Sequence, residues 1–390
     1  MNTKCFSLFW FLAASLGAED LTLTKIVVVG TTTKEAAVRQ AFVELTEGQS
    51  FPRRVLNEAA ELAADRLTAL GYFSSVQVNV VVSAALPGTA RVVAEVTDGF
   101  PWFFGGGSIW ALAGLKNLDG SGQDAALWLG WNRQAVGWAD HAPGWKGGSW
   151  ALTAGNQPLD WVDASGTRYE RQGVGAALAL DQELGWGWSA EVRQETRWEF
   201  DPGYTGGRPR AIETGRLAWQ RLPPGYSPDH GASAVVSAHT YLPDGLFRQG
   251  TDVRGYVPLG GGVKAAFRAA GVTQQGAFDA RDALVLSGLD TVRKSFDAAD
   301  LDRSITWASA ELRWAAVTWS FFGAAPATLE PAVIFDAGAG RSDTGTTAAC
   351  AAGVALRLLI AVPVSVPVRL EATLDNKQRL WWGLGVSAPF

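Results

Sequence analysis

Two carboxylates of this chain stand where an unpaired charge is costly. Glu311 lies in Ala308-Ser309-Ala310-Glu311-Leu312-Arg313-Trp314, and Asp336 in Pro331-Ala332-Val333-Ile334-Phe335-Asp336-Ala337-Gly338, both strand-like and largely apolar. A carboxylate buried in such a setting needs a partner. A guanidinium suits it, because its five donors form a planar fork that matches carboxylate geometry. An arginine held between two acids would also pin a long loop that otherwise costs entropy to order. Two arginines occupy suitable short motifs: Arg293 in Leu284-Val285-Leu286-Ser287-Gly288-Leu289-Asp290-Thr291-Val292-Arg293-Lys294-Ser295-Phe296, and Arg254 in Asp252-Val253-Arg254-Gly255-Tyr256. Other chemistry finds no support. His141, His230 and His239 lack metal-ligand spacing. There is no Gly-x-Ser-x-Gly elbow or phosphate loop, and Gly260-Gly261-Gly262 reads as a strand turn. Tyr204-Thr205-Gly206-Gly207-Arg208-Pro209-Arg210 reads as a solvated basic loop tip. No enzyme activity, cofactor or metal site is expected.

The elements that must position these charges depend on what solvates the chain. Lys4 precedes a mostly apolar run from Cys5 to Leu16, and Ser15-Leu16-Gly17-Ala18 precedes Glu19-Asp20, so residues 1–18 are expected to be a secretion signal. Leu16 is poor three residues before a cut after Ala18; Ser15 suits a cut after Gly17 equally well. The run is too short to span a bilayer, which takes roughly 20 residues. Removal of Cys5 would leave Cys350 alone, without a disulfide or cysteine metal site, and Cys350 is expected to pack as a small hydrophobe. No later run of 18 apolar residues occurs. A secreted chain without a helical anchor stays soluble or enters a membrane as a closed barrel. The net charge of −5 argues against nucleic acid as a partner.

Composition divides the chain at Asp98-Gly99-Phe100-Pro101. Residues 19–98 hold no Trp, whereas seventeen of the eighteen Trp lie between Trp102 and Trp382. The expected domains are 19–99 and 100–390. The first reads β-α-α-β-β. Leu23–Val29 is a strand ended by Gly30, and Thr33 is placed to cap a helix over Lys34–Leu45. Ser50 and Pro52 start a second helix with Val55, Leu56, Ala59, Leu62, Ala63, Leu67 and Leu70 at 3-and-4 spacing, closed by Gly71. Ser75–Val82 and Arg91–Val96 read as a hairpin with one buried face.

The second zone carries short runs in which large apolar residues alternate with Gly, Ala, Ser or charge, as in Ala126–Trp131, Gly173–Leu180, Trp186–Val192 and Ala234–His239. A membrane barrel needs that alternation, with lipid outside and a polar lumen inside. At about ten residues per crossing, sixteen strands use roughly 160 residues and leave short loops; fourteen or twelve remain open. The final stretch, Arg379-Leu380-Trp381-Trp382-Gly383-Leu384-Gly385-Val386-Ser387-Ala388-Pro389-Phe390, alternates bulky and small residues up to an aromatic terminus.

These motifs carry a resemblance. Ile26-Val27-Val28-Val29-Gly30, a helix ending Leu70-Gly71-Tyr72-Phe73, then Ser74-Ser75-Val76-Gln77-Val78 resembles a polypeptide-transport-associated (POTRA) domain, with Tyr72-Phe73 packing beneath the sheet. The run from Leu284 to Phe296, followed by the Glu311 and Asp336 stretches, resembles the BamA/TamA-like superfamily of outer-membrane assembly and translocation barrels. In that superfamily a long loop with Leu-Gly-Gly…Val-Arg-Gly-Tyr/Phe folds back into the lumen. The resemblance implies a loop at about 275–304 folded inward, with Arg293 at its tip meeting Glu311 and Asp336 on strands 12 and 13. Arg254 is the cleaner copy of the motif, but no acidic strand follows it at short range, and it resembles the strand before the loop. Lys294-Ser295 departs from the Gly-Tyr/Phe of the family. The resemblance further implies that Trp382, Leu384 and Phe390 belong to a terminal strand acting as an insertion signal and closing against the first.

The expectation is therefore an α+β POTRA domain followed by an antiparallel transmembrane β-barrel, most simply of 16 strands. It would lie in the outer membrane of a Gram-negative bacterium with the POTRA domain in the periplasm. Its expected role is to assist insertion or translocation of client proteins. The sheet edge around Val76, Val78 and Val80 would receive extended segments by strand addition, and the barrel seam would pass them. Expected partners are unfolded outer-membrane or secreted proteins, membrane lipid and accessory lipoproteins. The alternatives are an outer-membrane pore or binding barrel with a vestigial POTRA domain, or a soluble periplasmic β-protein.

Overall fold

The structure is a computed structural model, and it describes residues 20–107, 110–130, 134–162, 168–200, 207–222, 228, 230–276, 282–288, 291–294, 301–321, 325–343, 345–360 and 368–386. The expected secretion signal and Phe390 lie outside the described residues.

The N-terminal elements are β1 (Asp20–Val29), α1 (Glu35–Arg39), β2 (Ser50–Pro52), α2 (Arg53–Leu70), β3 (Phe73–Val82) and β4 (Thr89–Asp98). They form a four-stranded sheet in the order β2-β1-β4-β3, with β1 and β4 parallel. The expected order holds, with the three-residue β2 added. Helix α2 buries Leu56, Ala59, Ala63 and Leu67, spaced at three and four residues, against Leu21, Leu23, Val92 and Ala94 of the sheet. It stops at Gly71, whose φ of 67° places it in the left-handed conformation glycine tolerates.

Helix α1 is shorter than the expected Lys34–Leu45, and Thr33 does not cap it: the N-cap is Lys34, without a side-chain hydrogen bond. Past Arg39 the chain tightens into three-residue turns, with Ala41 N–H donating to Val38 O, Phe42 to Arg39 O and Leu45 to Phe42 O, each at 3.2 Å. Side chains from elsewhere then take the carbonyls, Arg66 that of Ala41 and Lys146 that of Leu45. Tertiary partners thus replace the helical ladder.

The second unit is all strand: β5 (Trp102–Gly107), β6 (Trp110–Leu115), β7 (Gln123–Gly130), β8 (Gln134–Asp140), β9 (Gly148–Val162), β10 (Arg168–Gly185), β11 (Trp188–Phe200), β12 (Arg208–Arg221), β13 (Gly231–Leu242), β14 (Leu246–Gly260), β15 (Val263–Gln275), the short β16 (Leu284–Val285) and β17 (Leu301–Asp302), β18 (Ser304–Trp314), β19 (Val317–Phe321), β20 (Ala325–Arg341), β21 (Thr346–Ile360), β22 (Val368–Asp375) and β23 (Leu380–Val386). β18 and β19 are two lengths of one strand interrupted at Ala315-Ala316, since both pair with β20. The wall therefore has sixteen antiparallel strands, and β16 and β17 form a separate two-stranded ribbon. The strand order returns β23 to β5 and closes the barrel. Each neighbouring pair from β5 to β23 is antiparallel, with register shifts at Glu183/Gly185 and Pro258/Gly260. The seam strands β5 and β23 are described over six and seven residues.

Alternation sorts the wall. On β22, Arg369, Glu371, Thr373 and Asp375 are buried inward while Val368, Leu370 and Leu374 are exposed outward. On β20, Ile334 and Asp336 face in and Val333 and Phe335 face out. An outward surface of Leu, Val, Phe and Trp over a charged interior is the dyad of a lipid-solvated barrel. Cys350 is exposed on this outer face instead of packing as a small core residue.

Candidate functional site

The described residues between β15 and β18, 282–288 and 291–294 with β17, turn inward. The chain descends through β16, turns at Ser287, which bridges to Val292, and leaves through β17. Leu284, Leu286 and Val292 pack on Ile305, Trp307, Ala349 and Ala351 of the inner wall. Two glycines make room. A Cβ at Gly338 would stand 2.7 Å from a Val292 methyl, and one at Gly340 would overlap the Asp302 carboxylate. The small inward face of β20 is thus the seat of the loop.

Beyond Val292 lies Arg293, 2% exposed. Asp336 on β20 accepts three hydrogen bonds from it: Oδ2 from the backbone N–H at 3.0 Å and from Nε at 2.7 Å, and Oδ1 from Nη2 at 2.6 Å. Nη1 donates to Glu311 Oε1 on β18 at 2.6 Å and to Glu371 Oε1 on β22 at 3.3 Å. Thr373 on β22 donates its hydroxyl to the Arg293 carbonyl. Backbone and guanidinium are both held, as expected of charge-assisted, two-pronged pairing.

The carboxylates are themselves shared. Glu311 Oε2 accepts from Arg313 Nε at 2.8 Å and from Arg357 of β21. Arg357 reaches Glu330 at 3.4 Å, which Lys264 of β15 approaches at 2.9 Å, and Arg369 lies 3.9 Å from Glu371. Five cations and four carboxylates, all buried, join β15, β18, β20, β21, β22 and the loop. Sequence reasoning singled out Arg293, Glu311 and Asp336, and the structure brings these three together. It left out Glu371, Arg313, Arg357, Arg369, Glu330 and Lys264. Their signal is charge at alternate positions of apolar strands, as in Glu311/Arg313 and Arg369/Glu371.

A second cluster holds the descending leg. Arg210 donates from Nη1 and Nη2 to both oxygens of Asp282, at 2.9 and 3.0 Å, and from Nε to Asp244 at 2.7 Å. Glu199 lies 3.5 Å from Arg210, and Arg248 donates to the Asp282 carbonyl at 3.0 Å. Arg208 and Arg210 are therefore lumen residues of β12 and no solvated tip, because β12 begins at Arg208 and turns both inward. Arg254 stays on the wall of β14, paired with Asp252 at 2.9 Å.

The POTRA-like unit meets the barrel end at which the chain enters. Lys34 N–H donates to Gly120 O, Asn117 Nδ2 to Thr33 Oγ1, Gly147 N–H to Gln40 Oε1 and Trp186 N–H to Glu44 Oε1, at 2.6–2.8 Å. Arg221 pairs with Glu58. Tyr72 does not pack beneath the sheet; its hydroxyl donates to Gly122 O of the rim at 3.2 Å and its ring meets His141 edge-on. Glu44 is fully buried and accepts two bonds from Arg66, at 2.7 and 2.6 Å. Burial pushes its carboxyl up, but the Arg66 fork and the Trp186 N–H hold it below the ordinary carboxylate value. Asp98 is likewise held down, against the opposing effect of burial, by bonds from Thr31, Thr32 and Thr33.

Val76, Val78 and Val80 turn their side chains to the core of this unit, so β3 offers its free backbone edge and the alternate Gln77, Asn79 and Val81. Trp382 and Leu384 stand on the outward face of β23, 69% and 63% exposed.

These features define a class, a small α+β domain abutting a sixteen-strand barrel with a salt-bridged loop inside. Residues 21–99 match the POTRA family, described as "Surface antigen variable number repeat". BamA from Haemophilus ducreyi lacking POTRA domains 1–3 matches at 15% identity with a TM-score of 0.57, covering 94% of this chain and 83% of its own. CdiB from Acinetobacter baumannii matches at 12% and 0.60, covering 94% and 73%, and CdiB from Escherichia coli at 12% and 0.50, covering 96% and 92%. A comparison with curated protein sequences gave no match. In fold the chain is similar to these POTRA-plus-barrel proteins, and residues 21–99 carry the POTRA match.

Proposed function

We propose that this protein assists the insertion or translocation of client proteins at the outer membrane, with its POTRA domain in the periplasm. The observation that carries the reading is an unpaired sheet edge, β3, held in one molecule with a barrel whose lumen is occupied by a pinned loop. An exposed edge strand binds extended chains through backbone hydrogen bonds with little sequence demand. The clients are unfolded outer-membrane or secreted chains, the solvent of the barrel is lipid, and accessory lipoproteins are candidate helpers. Strands β5 and β23 form the seam at which a client would be received or passed. Trp382, Leu384 and Phe390 serve as the terminal-strand signal, and Arg293, Glu311 and Asp336 anchor the loop. A passive pore would leave the loop free to vacate the lumen; a network of buried ion pairs opposes that.

Photoreactive groups placed at Gln77, Asn79 and Val81 in the full chain, in cells, test this. The proposal expects crosslinks to outer-membrane or surface proteins caught before folding, at β3 but not at the covered β1. Equal crosslinking at both strands would refute client binding at this edge.

A further inference from the structure

The outer face of the barrel is not uniformly apolar. Along β11 the outward residues are Trp188, Ala190, Val192, Gln194, Thr196, Trp198 and Phe200. Trp188 and Trp198 stand ten residues apart, which is the length of one tilted crossing, and aromatic residues mark the two interfaces of such barrels. Gln194 and Thr196 therefore lie within the span. Register sets Gln194 beside Glu213 of β12, and Glu213 beside Thr240 of β13. Glu213 faces outward, on the same side as Leu217, which is exposed, whereas Arg210 and Ile212 are buried inward. Gln249 and Thr251 extend the patch onto β14. Exposed Val192, Leu217, Val236 and Val253 border it on one side, Trp198, Phe200 and Leu242 on the other.

Glu213 makes no ion pair or side-chain hydrogen bond among the described residues. Among the barrel residues whose side chains are described, the other outward charges, Asp140, Arg221 and Arg341, stand at strand ends. A charge on the lipid face of a barrel is penalised most near mid-span, and hydrocarbon offers no donor to relieve it. Five hydrogen-bonding side chains grouped around one carboxylate are matched by a protein surface and not by acyl chains. A second copy of this chain docked by a two-fold axis through the patch would set Glu213 against Glu213, which repels.

We infer that β11–β14 form a docking face for a second membrane-spanning protein that presents a lysine or arginine at the depth of Glu213. These are the seventh to tenth of the sixteen strands, opposite the seam of β5 and β23. A partner there leaves the seam clear.

The full mature chain, labelled with a donor fluorophore at its N-terminus, is reconstituted in phosphatidylcholine vesicles with acceptor-labelled single-span peptides. The peptides are leucine-rich and differ only in one central residue: Lys, Leu or Glu. The Lys peptide is expected to associate about tenfold more tightly than the Leu peptide, the worth of one good hydrogen-bonded pair in lipid, and the Glu peptide no better than Leu. The preference should vanish in Glu213→Gln and persist in Glu213→Asp, with heat-modifiable gel mobility confirming that both variants are folded. Equal association of the three peptides, a Lys preference that survives Glu213→Gln, or stronger transfer to an acceptor-labelled copy of the barrel than to the Lys peptide would overturn the inference.

Discussion

Replacing Arg293 with methionine removes a guanidinium that touches three carboxylates, but the three do not suffer equally. Glu311 keeps Arg313 and Arg357, and Glu371 keeps Arg369. Asp336 is fully buried and loses both side-chain hydrogen bonds, from Nε and Nη2, keeping the one from the backbone N–H of residue 293. Removing one partner of a buried pair costs about 3–5 kcal/mol, because it strands the other charge. Arg293→Met should therefore destabilise the folded barrel by about that amount, measured as urea unfolding in detergent followed by heat-modifiable mobility. Asp336→Leu should cost less, because the guanidinium loses its Nε and Nη2 partner but keeps Glu311 and Glu371. The double variant strands neither, so it should be more stable than the sum of the singles implies by about 1–3 kcal/mol. Arg293→Lys should fall between, since an ammonium cannot engage both oxygens of Asp336 as a fork. Additivity of the two single variants to within about 0.5 kcal/mol would refute the pairing as the source of loop anchoring.

Gly338→Val should push Val292 and Leu286 off the wall, costing about 1–3 kcal/mol as overpacking and raising external proteolysis within residues 276–303. Glu44 titrates below the ordinary carboxylate value when docked, so its contribution to holding the POTRA domain is full above that value and is lost as pH falls through the depressed one. Distance measurements between spin labels on α2 and the β10–β11 turn should broaden as pH falls through that depressed value, and Glu44→Gln should abolish that pH dependence. Prolines walked along Gln77, Val78, Asn79 and Val80 should block client crosslinking at alternate positions without unfolding the domain, because alternate N–H groups of an edge strand point away from its partner β4.

Much of this was readable from residues. The two-periodic alternation and Trp distribution pointed to the barrel, because each crossing must present one face to lipid and one to the lumen; the length per crossing made sixteen strands the simplest number and left fourteen or twelve open. Arg293 was legible only through the resemblance of its stretch to the superfamily's loop, whereas Glu311 and Asp336 also stood out as charges amid apolar strand residues. Glu371 and the Arg210–Asp282 pair were not: they lie 78 and 72 residues from their partners and meet only when the barrel closes. Arg208 and Arg210 read as a solvated tip because Gly206-Gly207 precede them, and only the start of β12 at Arg208 turns them inward. Helix α1 was overlong on paper because its carbonyls are claimed by Arg66 and Lys146 from distant elements. Tyr72 was assigned to the wrong surface because the rim it meets belongs to the other unit.

The role at the membrane is tested most directly by depleting the protein in its native cell and quantifying the outer-membrane proteome. Complementation would use the wild type or a β3 proline variant whose POTRA domain remains folded. The account predicts that specific outer-membrane or surface proteins fall on depletion, recover with the wild type and stay low with the variant. An unchanged outer-membrane composition on depletion would contradict it, as would full recovery with the variant.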